Sequence, residues 1–171
     1  MYSKIKNKNV QNALLINYPE FAKYEKEIEQ RVFWWSKHSD IVVTGLMRLD
    51  GFPRWDVCTP QFVVIDTNTW KTKKNYSKAN GINEPVKVVH SPNHRGLKGT
   101  EFLIKTVEEL KEEGLKIELI LLEKVQNDIV REIMQEADIL AEQFIIPGYG
   151  LNGIEGMASG LPVLANLDDP D

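Results

Sequence analysis

The chain has 171 residues, enough for one domain with a real core or a small domain plus an appendage. It is 42% hydrophobic and 27% charged, with a net charge of −4, so no basic field points to nucleic acid. A single cysteine, Cys58, excludes an internal disulfide and fits a reducing cytoplasm, and no C-x-x-C or H-E-x-x-H spacing offers a zinc site.

The first residues, MYSKIKNKNVQNALLINYP, are polar and lack an apolar signal core. No run approaches the roughly 18 apolar residues of a membrane span, which leaves peripheral membrane contact open. Residues 20–38 read as an amphipathic helix, with Phe21, Tyr24, Ile28, Val32 and Trp35 near a 3.6-residue period. DIVVTG (40–45) reads as a short buried strand, GFPRWDVCTP (51–60) as a loop and QFVVID (61–66) as a second strand. Trp34 and Trp35 read as helix packing or as a surface for a missing part, and Trp55 and Trp70 as hydrophobic anchors in loops. Residues 71–85 are polar and basic, which suits an exposed connection.

From Pro85 the pattern is regular. VKVVH (86–90) is a strand, and 100–113 a helix with Leu103, Val107 and Leu110 on one face. KIELILL (116–122) is a second strand. Asn127 or Asp128 can cap a helix to about Glu136, with Ile129, Ile133 and Ala137 inward. DILAEQ (138–143) is a strand, 151–159 a short helix and PVLAN (162–166) a last strand. Strands alternating with helices predict an α/β fold, a Rossmann-like parallel sheet with helices on both faces. The unit looks incomplete at both ends. Residues 1–84 read as a remnant of another domain plus linker, and 85–171 as the regular domain.

Gly148, Gly150 and Gly153 in PGYGLNG have the G-x-G-x-x-G spacing of a dinucleotide loop, and Asp168 lies 20 residues past Gly148. In an NAD fold, however, such glycines follow the first strand and open a long helix. Here they follow two complete strand–helix units, Pro147 precedes them, and the helix beyond is short. The other glycine-containing loop, HSPNHRGLKGT (90–100), leaves the first strand of the regular unit. Gly96 and Gly99 allow close backbone approach, Arg95 and Lys98 bring positive charge, and the N-terminus of the following helix favours an anion. Ligands of open α/β sheets sit at the carboxyl ends of strands, so both loops can face one phosphate or diphosphate. Glu155, early in the short helix, can bond paired sugar hydroxyls. His94 reads as a solvated loop histidine, and Asp168, Asp169 and Asp171 as a frayed acidic end.

Arg-x-x-Lys-Gly at 95–99, Ala-Asp-Ile at 137–139 and Glu-x-Met-Ala-x-Gly-x-Pro-Val at 155–163 occur in one order and spacing. With the sequence around them, residues 86–166, they resemble the C-terminal, donor-binding domain of group 1 (family four) glycosyltransferases of the GT-B fold. Residues 20–66 resemble the end of that family's N-terminal, acceptor-side domain more loosely. The resemblance implies transfer of a sugar from a nucleotide diphosphate sugar to a saccharide, lipid or protein acceptor, usually with retention. It implies no metal or other cofactor. It makes Arg95 and Lys98 the catalytic basic pair on the leaving diphosphate. Asn93, Gly96, Gly148, Tyr149, Gly150, Leu151 and Glu155 become donor-binding positions, with Glu155 on the ribose. Many members place a sugar-binding glutamate where this chain has Pro147. The acceptor-side strands that usually carry a catalytic histidine are missing, so the chain alone is expected to transfer poorly or not at all. The alternatives are an NAD-dependent enzyme or sugar-nucleotide epimerase, and a non-catalytic nucleotide-sugar-binding fragment.

Overall fold

The computed structural model describes residues 8–45, 52–59 and 64–167. They divide into two compact units, the first taking the described residues up to Val64 and the second those from Ile65 onward.

The first unit opens with three helices: α1 (Lys8–Asn17), α2 (Pro19–Lys23) and α3 (Glu25–His38). The polar start of the chain thus contributes a helix that its weak periodicity does not announce. The single helix expected over 20–38 is interrupted at Tyr24, which has φ −102° and ψ 16°. The interruption is local, because Tyr24 N–H still donates to Glu20 O and Ile28 N–H to Tyr24 O. Phe21, Ile28 and Val32 are half-buried, whereas Tyr24 and Trp35 are exposed, so the expected inward stripe is corrected at both positions. Past Tyr24 the stripe follows Ile28, Val32 and buried Ser36 at i, i+4, i+8. Trp34 and Trp35 meet edge to face at 4.9 Å, and Trp34 stacks on His38 at 4.4 Å.

Strands β1 (Val43–Gly45) and β2 (Val57–Thr59) pair in parallel, Val43 opposite Val57. The stretch 51–60, expected as loop, therefore carries a strand after its Gly-Pro start. Arg54 explains how it is fixed: its guanidinium donates to Ser36 O at 3.0 Å and Asp40 O at 3.1 Å, around the end of α3, and to both oxygens of Asp56. Asp56 in turn accepts from Val42 N–H at 2.9 Å. These bonds hold its carboxyl below the usual carboxylate range, Arg54 being the larger cause. Trp55 is exposed, contrary to its expected role as a hydrophobic anchor. Residues 61–63 of the strand expected at 61–66 lie outside the described residues, and Val64–Asp66 are not in a strand.

The second unit is a Rossmann-like α/β fold. Its elements are β3 (Val86–His90), α4 (Arg95–Lys98), α5 (Thr100–Glu112), β4 (Ile117–Leu121), α6 (Asn127–Glu136), β5 (Ile139–Gln143), α7 (Leu151–Ala158) and β6 (Val163–Ala165). The strands form one parallel sheet in the order β4-β3-β5-β6. Alternation along β3 sends Val89 to the core that holds Val130 and Met134 of α6 and Ala137 after it, and the next residue, His90, to Thr100 of α5. Helices thus cover both faces.

Leu140 of β5 and Trp70 and Leu161 from the connections complete that core. Trp70 is 5% exposed, the one loop tryptophan of the pair that is an anchor. The inward face of α6 is Val130 and Met134, with Ile133 half-buried against the core and Ala137, the C-cap, fully buried, as expected of these last two. Ile129, expected inward, is 44% exposed, because the face turned to the core runs through Val130 and Met134 and leaves it to one side. Gln126 is the N-cap, without a side-chain cap bond. The connection 71–85 is mostly exposed but includes Lys73, which is buried and donates to Ala137 O.

Candidate functional site at the carboxyl edge of the sheet

Between β3 and β5 the strand order reverses: the chain leaves β3 toward β4 on one side and leaves β5 toward β6 on the other. At such a reversal the helices after adjacent strands leave to opposite faces, and open α/β sheets place their ligands at the carboxyl ends there. The residues at this edge are the end of β3, the turn of α4, the end of β5 and the start of α7.

His90 closes β3 and is fully buried. Its Nδ1 lies 2.6 Å from Ala141 O and its Nε2 2.8 Å from Thr100 Oγ1. A carbonyl only accepts, so Nδ1–H donates to it and Nε2 of the neutral ring accepts from the threonine hydroxyl. Burial, reinforced by Lys98, lowers the His90 pKa against the raising effect of the Ala141 bond. The ring is a neutral clamp between β3, β5 and α5.

The loop 91–99 is not an open turn onto α5, as its sequence suggests. Residues Arg95–Lys98 form the one-turn helix α4, with the His94 side chain accepting from Leu97 N–H. Gly99 follows at φ 77°, a left-handed conformation that glycine adopts without strain. Gly99 and Thr100 are buried, and a Cβ on Gly99 would lie 3.2 Å from Ile145 and 3.3 Å from Phe144. The start of α5 is therefore covered by the loop after β5, which corrects the expectation that it faces a ligand.

Asn93 and Gly96 are exposed on the same loop. Arg95 donates through Nε to Glu101 at 2.7 Å and through Nη1 to Glu123, after β4, at 2.9 Å. These contacts raise its pKa, the Glu101 hydrogen bond most, and lower that of Glu101.

Lys98 is held more deeply. Its ammonium donates to Glu142 Oε1 and, at 2.9 Å, to Gln143 Oε1. The Glu142 side chain is fully buried and the Lys98 side chain 11% exposed. Glu142 sits at an irregularity of β5: Ala141 pairs with Leu164 and Gln143 with Ala165, so Glu142 is the extra residue of a β-bulge. Its carboxylate lies under the start of α7, on the face to which Leu140 turns two residues earlier. Gly150 N–H donates to Glu142 Oε1 at 3.3 Å. Glu142 Oε2 is buried and has no hydrogen-bond partner among the described residues.

The glycine-rich segment acquires its explanation from these neighbours. A Cβ on Gly150 would lie 3.3 Å from Glu142 Oε1 and 3.4 Å from Lys98 Nζ. One on Gly153 would lie 2.9 Å from Tyr149 Cβ and 3.3 Å from Glu142 Cγ. Gly148 has φ 87° and donates its N–H to Asn166 O at 2.7 Å. Beneath the loop the Gln143 amide donates to Ile146 O at 3.1 Å and Gly148 O at 3.0 Å. The glycines thus fit the loop over an ion pair and into a turn. Tyr149 and Leu151, flanking Gly150, are exposed.

Glu155 lies on α7 and is 6% exposed. Asn127, at the start of α6, donates to its Oε1 at 3.2 Å instead of capping its own helix. Burial raises the Glu155 pKa, with the Asn127 bond opposing. The carboxyl edge therefore joins three loops: Lys98 to Glu142 and Gly150, Arg95 to Glu123, and Asn127 to Glu155. His90, Thr100, Glu142, Gln143 and Asn127 were not among the residues expected there. The available signal was the Glu-Gln pair ending an otherwise apolar buried strand, where charge is out of place.

Asp138, of the Ala-Asp-Ile element, lies at the opposite, amino end of β5. It accepts from Lys87 N–H at 2.9 Å and from the Ser77 hydroxyl, tying the connection 71–85 to the sheet. A groove of about 460 Å³ lies there, lined by Lys73, Tyr76, Ser77, Asp138 and Pro162. Among the described residues no group of three or more His, Cys, Asp or Glu could hold a metal ion, and no helix is long and apolar enough to cross a membrane. Asp168, Asp169 and Asp171 lie outside the described residues.

Comparison of the chain with protein-family models, curated proteins and solved structures finds no match.

Proposed function

We propose that the chain carries the donor side of a glycosyltransferase, binding a nucleotide diphosphate sugar at the carboxyl edge of the β4-β3-β5-β6 sheet. One observation carries this reading: Lys98, the Gly150 N–H and buried Glu155 all lie at the carboxyl edge of the sheet whose strand order reverses between β3 and β5. An ammonium and a helix-start N–H suit phosphate oxygens. A buried carboxylate beside an amide suits a pair of ribose hydroxyls. Two of the three N–H donors of Lys98 are bonded to Glu142 and Gln143. Two of the five donors of Arg95 go to Glu101 and Glu123. In the transfer step, Arg95 and Lys98 would stabilise the charge that develops on the leaving diphosphate. Tyr149, Gly150 and Leu151 would border the donor sugar, with Asn93 and Gly96 at the phosphates.

Calorimetric titration with uridine, guanosine and adenosine diphosphates and with NAD tests the reading. A nucleoside diphosphate is expected to bind, and Glu155→Ala to weaken it about tenfold, the worth of one strong hydrogen bond. Binding of NAD with no response to any nucleoside diphosphate would overturn it. Diphosphate binding without sugar transfer, even with an added acceptor domain, would favour a binding fragment over an enzyme.

A further inference from the structure

We propose that Glu142 is a resident anion seated where a ligand's phosphoryl group would bind, so that the phosphoryl group must take Lys98 and the Gly150 N–H from it. The inference rests on the donor-site reading above. Four observations carry it. Glu142 stands at the register irregularity of β5 and turns its carboxylate to α7, the face to which Leu140 turns two residues earlier. Its Oε1 receives an ammonium and the N–H of the N-cap residue of α7, the donor types that bind a free oxyanion. Gly150 and Gly153 are the positions where a side chain would crowd that carboxylate. Lastly, the pair is not a completed structural ion pair: Oε2 is buried with no partner among the described residues, and such an oxygen loses its water without return.

The consequence is a specificity device. With Glu142 in place, the charge of Lys98 is neutralised and an approaching anion meets a carboxylate at the seat. An anion gains Lys98 and Gly150 only by displacing that carboxylate, so Glu142 sets how strongly a phosphoryl group must bind.

The test compares wild type, Glu142→Gln and the double variant Lys98→Ala/Glu142→Gln. Calorimetry would use uridine, guanosine and adenosine diphosphates and inorganic pyrophosphate, with circular dichroism to establish folding. For the probe that wild type binds best, Glu142→Gln is expected to bind at least about tenfold tighter, and the double variant to lose that gain. Should Glu142→Gln not melt cooperatively, Glu142→Asp, whose shorter carboxylate withdraws from both donors, is expected to change affinity in the same direction. Wild type binding a probe while the folded variant binds it equally or more weakly overturns the proposal and leaves the donor-site reading standing. Absence of binding to every probe by folded wild type and variant overturns both.

Discussion

Gly156 and Leu140 are in such close contact that a Cβ on the glycine would lie 2.3 Å from Leu140 Cδ2 and 3.4 Å from its Cβ. Leu140 is fully buried in the core with Val89 and Met134, so it has little room to yield. Gly156→Ala is therefore expected to destabilise the second unit even though alanine favours helix by about 1 kcal/mol. Overpacking of this kind costs about 1–3 kcal/mol. Thermal unfolding should show a lowered midpoint; an unchanged or raised midpoint would mean that α7 can move off β5 freely.

The Lys98–Glu142 pair is buried enough that removing one member should cost far more than removing both. Lys98→Ala leaves a carboxylate uncompensated in the interior, a defect worth about 3–5 kcal/mol. Lys98→Ala/Glu142→Gln should recover most of that loss. Chemical denaturation of the two variants checks the difference, and additive losses would contradict burial of the pair.

His90 gives the protein an acid-side weakness. Its folded pKa is lowered, so below the ordinary value of 6.5 the unfolded chain takes up a proton that the folded ring refuses. Stability should be unaffected by this group above about pH 6.5 and should fall as the pH drops through that value toward the folded pKa. The difference in unfolding midpoint between wild type and His90→Gln, followed from pH 7.5 to 5.5, should move against wild type as acid is added. A constant difference would refute the neutral clamp.

Glu155 acts in the opposite sense. Its folded pKa is raised, so the folded state pays nothing below the ordinary value of 4.5 and loses stability as the pH rises from there through the folded pKa. Glu155→Gln should stabilise the protein at pH 7, with the gain vanishing toward pH 4, while ligand binding weakens. A gain in stability joined to a loss of binding is the signature of a carboxylate kept for function. Equal stability of the two proteins at pH 7 would remove the argument from burial.

The second unit was largely legible because each of its elements has its own period. Val86–His90 and Ile117–Leu121 are short apolar runs, and Val107 of α5 recurs on the face that the sequence marks. In the first unit the periodicity was weaker. Tyr24 extends the stripe in sequence yet interrupts the helix, and β2 hides after a Gly-Pro start because three residues leave too little alternation to count. At the site, Lys98 and Glu155 were visible as charges beside glycines. Their partners were not, because Glu142 and Asn127 are 44 and 28 residues away, respectively, and only the sheet order brings them near. The spacing of Gly148, Gly150 and Gly153 was legible as a loop of close approach; what approaches within the chain is a carboxylate from the neighbouring strand.

The β5 bulge also bears on how this loop could have arisen. Because Glu142 is one residue in excess of the β6 register, its carboxylate belongs to the length of the strand as well as to its composition. Deleting that single residue would let Ala141 and Gln143 continue as a plain ladder against Leu164 and Ala165. It would also remove the charge on which Gly150 and Gly153 are fitted. The glycines would then enclose a vacancy. Loop and strand are therefore a matched pair, and a change in the length of one constrains the side chains permitted in the other.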